Sequence, residues 1–160
     1  MRGAVLPDAM LAASLGLVLS YAKPRQAAEA AGIMAIVALG IAFMPLAGMS
    51  DDVAFTGCWI GILAAAASVH LPGGPGPWLA RALAVHSGLW AGVVTHVQGG
   101  AMAVVMGLPL LLLVIPGQMV VKRNWGIAIK VACSWLIAIA LLELGLMLVP
   151  TPGYAPDHMD

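Results

Sequence analysis

Apolar residues run through this chain in six long blocks, at 5–22, 27–49, 53–71, 79–98, 101–121 and 127–149, each ended by a short polar or Gly/Pro-rich step. A helix rising 1.5 Å per residue needs about 20 mostly apolar residues to cross the hydrocarbon core of a bilayer. The blocks have that length, so the pattern predicts six transmembrane helices in one domain over residues 1–160. Tyr21-Ala22-Lys23-Pro24-Arg25-Gln26 ends the first block with charge and a proline that cannot continue a helix. Ser50-Asp51-Asp52 ends the second and offers N-cap side chains to the third. Pro72-Gly73-Gly74-Pro75-Gly76-Pro77 reads as a loop. Gln98-Gly99-Gly100 and Lys122-Arg123-Asn124 separate the last three blocks. These connections are too short to hold an extramembrane domain.

Composition strengthens the reading. Apolar residues make up 62% and charged residues 9% of the 160 positions, and the mean hydropathy is +1.01. A soluble domain carries about a quarter charged residues to cover itself in water-facing groups. This chain cannot do so, and its expected surroundings are the lipid bilayer. A formal net charge of zero offers no basic footprint for nucleic acid. Arg2 followed by an apolar run has the outline of a signal peptide, but Asp8 interrupts it and Lys23-Pro24-Arg25 anchors its far end, so a retained helix is expected.

Orientation follows from the basic residues. Lys23, Arg25, Arg81, Lys122, Arg123 and Lys130 fall at the first, third and fifth connections, whereas Arg2, Asp51, Asp52, Asp157 and Asp160 fall opposite. Basic loops stay in the cytoplasm, so both termini are expected outside it. Tyr21, Trp78 and Trp125 lie at the inner boundary, where amphipathic rings prefer to sit. A bacterial cytoplasmic membrane is the expected location.

Lipid provides no hydrophobic drive between helices, so close backbone approach must hold a bundle together. Gly57–Gly61, Gly88–Gly92 and the run Ala64–Ser68 give smooth faces that predict a compact bundle with the third and fourth helices at its centre. Such faces also suit homo-oligomers or partner subunits. Kinks are expected at Pro45, Pro109 and Pro116, each of which removes a helical hydrogen bond. The halves align near an offset of 72, with Leu11–Leu17 matching Leu83–Leu89 at four of seven positions. With three spans per half, a true repeat would be inverted, an arrangement that places a site at mid-membrane.

Ionisable groups within a span are expensive and each needs a reason. Glu143 lies roughly 9 Å inside the outer end of the sixth span. His96 and Thr95 near the outer end of the fourth, and Asp8 near that of the first, are its expected neighbours, with a Glu143–His96 pair at the centre. His86 lies deeper. His70, His86 and His96 have no recognisable ligand spacing, and Cys58 and Cys133 match no zinc or redox motif, so neither a metal nor a cofactor is expected. No HExxH, paired-carboxylate or serine–histidine motif supports an intramembrane enzyme. The expected function is a permease, or permease subunit, for a small solute, proton or metal ion. The alternative is a non-catalytic structural or assembly subunit of a larger membrane complex.

Overall fold

The computed structural model describes residues 5–44, 48–97 and 102–149, and every regular element among them is helical. The order is α1 (Val5–Leu19), α2 (Pro24–Ala42), α3 (Asp51–Ser68), α4 (Pro77–Val97), α5 (Met102–Gly107), a 3-10 segment (Leu108–Leu113), α6 (Val114–Lys122) and α7 (Gly126–Leu148). Three stretches are long and apolar enough to cross a membrane: α2, residues 105–122, and α7. The remaining helices fall short of that standard for local reasons. With 15 residues, α1 spans only about 22 Å, α3 opens on Asp51-Asp52, and α4 carries Arg81, His86 and His96.

The helix ends follow their sequences. Pro24 opens α2, where its missing N–H is not needed. The Ser50 side chain accepts a hydrogen bond from the Val53 N–H, 3.4 Å away, and caps α3. At the end of α6, Asn124 adopts a left-handed φ of 60°. The Trp125 N–H then donates to the Val120 carbonyl and the Asn124 N–H to that of Val121, a Schellman turn that reverses the chain into α7.

Of the three prolines expected to kink helices, Pro109 and Pro116 are described. Pro109 replaces α-helix with six residues of 3-10 helix, so the fifth block is two helices joined by a tighter segment rather than one bent helix. Pro116 occupies the first turn of α6, which follows the 3-10 segment directly and continues to Lys122. Pro45 lies outside the described residues.

Centrality is the main correction to the sequence reading. Although α3 and α4 were expected at the centre, α1 joins them there, with Leu11, Leu15, Val18 and Leu19 fully buried and contacts to α3, α4, α5, the 3-10 segment and α6. Glycine builds much of this packing. An added Cβ at Gly88 would meet the Met34 carbonyl oxygen at 2.7 Å, and one at Gly92 the Ala38 carbonyl oxygen at 2.6 Å. The Gly88–Gly92 face is therefore spent on α2, which runs parallel to α4. Gly57 lies flat against the Trp90 indole of α4, and Gly61 abuts Leu11 and His86. Along α1, Gly16 lies 3.0 Å by the same measure from the Leu110 carbonyl oxygen of the 3-10 segment, Gly107 faces Asp8, and Gly117 abuts Ser20. The fifth block thus runs parallel to α1 as α2 does to α4. By contrast, α7 lies mainly against α3.

Candidate functional site

Asp8 stands in the first turn of α1, where the free N–H groups of the helix start and its dipole favour a carboxyl. It is 2% exposed. Its Oδ2 accepts a hydrogen bond from the Thr95 hydroxyl of α4 at 2.9 Å, joining residues 87 apart in sequence. Oδ1 is buried without a hydrogen-bond partner among the described residues. The close approach of Gly107, which leaves 3.4 Å between its would-be Cβ and that of Asp8, sets the floor of the site. Cys58 of α3, also buried, is near enough to interact electrostatically with this carboxyl.

A cavity of about 10 Å³ adjoins Asp8 where α1, α2, α4 and the α5/3-10 junction meet, walled by Ala12, Met34, Ala38, Ala91, Gly107 and Leu108. That is about the space one water molecule occupies. Every other wall residue is apolar or glycine, so a polar guest would find Asp8 as its side-chain partner. Three buried side-chain atoms lack a partner among the described residues: Asp8 Oδ1, Ser87 Oγ and His86 Nε2. Most serines in the bundle satisfy themselves along their own helix, as Ser14 does on Leu11, Ser20 on Gly16 and Ser68 on Ala65. Ser87 does not. Buried polar atoms are nearly always hydrogen-bonded in folded proteins, so such a group within helices α1 and α4 calls for a functional or solvent partner.

The sequence-predicted residues separate into two groups. Asp8 lies at the heart of the site rather than at its margin, and it pairs with Thr95. His86 lies about 13 Å farther along α4, its ring edge-on to Trp90 with centroids 6.3 Å apart. His96, next to Thr95, is partly buried at the end of α4. Glu143 is elsewhere: it is half-buried on α7, whose main neighbour is α3, and no described residue forms a hydrogen bond or ion pair with it. Among the described residues no hydrogen bond or ion pair joins Glu143 to His96. Sequence reasoning missed the cavity walls, though Ala12 and Ala91, each four residues from a polar group on the same helix, carried a readable small-residue signal.

Among the described residues no three His, Cys, Asp or Glu side chains gather as metal ligands would. Both cysteines are free and buried. An ion pair at the other end of the bundle ties α4 to α2, with Arg81 Nε 3.0 Å from Glu29 Oε1 and the guanidinium over the Trp78 ring. Comparison with protein-family models, curated proteins and solved structures found no match to this chain.

Proposed function

We propose that this chain is a six-span membrane protein with both termini outside the cytoplasm of a bacterial cell, and that it moves a proton or a comparably small cation past Asp8. One observation carries the reading: a fully buried carboxyl keeps one oxygen unpartnered beside a cavity of about one water's volume, where four segments meet. A carboxyl in apolar surroundings is costly to ionise, and this one has a single side-chain hydrogen bond to offset that cost. A purely structural carboxyl would be expected to satisfy both oxygens. The size of the cavity argues against a larger solute. The 3-10 segment adjoining Gly107 supports the same reading, because mid-helix 3-10 stretches often mark hinges.

An inverted 3+3 repeat accounts for the helix pairings. In it α1 and α4 are equivalent and antiparallel, each flanked by a parallel partner through glycine-to-carbonyl contacts: Gly16 on the 3-10 segment, and Gly88, its counterpart at an offset of 72, on α2. In such an arrangement Asp8–Thr95 joins the two halves through α1 and α4, toward the outer end of the bundle.

The test is proton uptake into liposomes containing the purified chain and a trapped pH dye, driven by a potassium diffusion potential. Wild-type protein and Glu143→Gln should acidify the lumen, whereas Asp8→Asn, confirmed as folded by gel filtration, should not. Absence of wild-type flux with protons or small cations, or equal flux in Asp8→Asn, would reject the proposal.

Glu143 favours a second reading, as an assembly subunit. A half-buried carboxyl on the outer helix, with no partner among the described residues, suits a hydrogen-bonding or basic group on another membrane chain. Native mass in mild detergent separates the readings: a stoichiometric foreign chain lost on Glu143→Gln would favour the subunit.

A further inference from the structure

We propose that the groove between the inner end of α1 and the α6–α7 turn holds the head group of an anionic phospholipid. The groove is a shallow, open depression of about 390 Å³ lined by Tyr21, Val121, Asn124, Gly126, Ile127 and Lys130. A tertiary contact builds it: the Tyr21 hydroxyl donates to the Gly126 carbonyl at 2.8 Å, pinning the start of α7 to α1 across 105 residues. The Gln118 side chain adds a second tie, donating to the Ala22 carbonyl at 3.3 Å. The Schellman turn fixes Asn124 at the rim.

Charge and polarity select the occupant. Lys122, Arg123 and Lys130 are all exposed, and no described carboxylate pairs with any of them. The nearest acidic residue in sequence is Glu143, more than three helical turns beyond Lys130. Next to these cations the surface is strongly apolar, with Trp125 70% and Ile127 75% exposed. A soluble anion would use the cations alone. A phospholipid uses both, its phosphate on Lys130 and the Asn124 amide, and its chains along Ile127 and Val121. Basic grooves between membrane helices suit anionic head groups for this reason. The proposal is independent of the role of Asp8.

Native mass spectrometry of the full chain, released from micelles containing equal parts of phosphatidylglycerol and phosphatidylcholine, tests the assignment. Wild type should retain phosphatidylglycerol preferentially. Lys130→Gln should weaken that preference about fivefold, the factor expected for one cation facing an anionic lipid. Lys130→Arg should keep it, and so should Arg81→Gln, on α4 outside the groove lining and paired with Glu29. Preference unchanged in Lys130→Gln, or lost equally in Arg81→Gln, would overturn the proposal. So would displacement of the lipid by excess soluble glycerol phosphate, which would identify the groove as a general anion site.

Discussion

Replacing Gly92 with alanine probes the α2–α4 contact, the closest backbone approach on α4. An alanine Cβ there would lie 2.6 Å from the Ala38 carbonyl oxygen and 2.6 Å from Ile41 Cβ. Comfortable carbon–carbon contact begins near ~3.5 Å, so the two helices must separate by roughly 0.9 Å or distort. Overpacking of this kind costs about 1–3 kcal/mol, while alanine in place of helical glycine returns about 0.5–1 kcal/mol. The net destabilisation is then about 1 kcal/mol. Gly40, on α2 itself, has nothing within 4 Å of its would-be Cβ. Gly40→Ala should therefore gain about 0.5–1 kcal/mol through the backbone alone. The two alanine variants should differ by about 2 kcal/mol, roughly 30-fold in the ratio of folded to unfolded chain. Reversible unfolding in mixed micelles titrated with dodecyl sulfate, followed by circular dichroism, measures that difference. Equal midpoints for Gly92→Ala and Gly40→Ala would mean that α2 does not rest on α4 as described.

Thr95→Val keeps side-chain shape but leaves both Asp8 oxygens without a protein partner. It should destabilise the fold by about 1–3 kcal/mol in the same titration, whereas Thr95→Ser should restore most of the loss; no change in Thr95→Val would place Asp8 in contact with water. Cys58 and Cys133 have no exposed surface, so a maleimide should label neither in the folded protein and both after denaturation. Rapid labelling of Cys58 in the native state would reveal an access route to the Asp8 site. Glu29→Gln breaks an exposed ion pair and should leave the unfolding midpoint unchanged, because solvent already screens such pairs.

The sequence by itself determined the helical, bilayer-suited class, the breaks near 20–23, 69–76 and 123–125, and the local caps. These depend on composition and on neighbours within one helical turn, which is why Ser50, Pro24 and the loop up to Gly76 were readable from a single chain. The helical bundle and its three long apolar helices follow from the same local chemistry. Depth of burial is different, since it depends on which helices meet. Glu143 stood out because it interrupts the most apolar block, yet α7 lies at the edge of the bundle and leaves that carboxyl half-buried. Asp8 looked marginal because it is near the chain start, but α1 runs through the centre and carries it inward against Thr95. Pro109 and Pro116 are the same residue type seven positions apart in one block, yet Pro109 opens a 3-10 segment whereas Pro116 stands in the first turn of an α-helix. The cavity beside Asp8 could not be read locally at all, since its walls come from four separate segments. Tertiary structure alone decides that geometry, because a void exists only where small residues from different helices face one another.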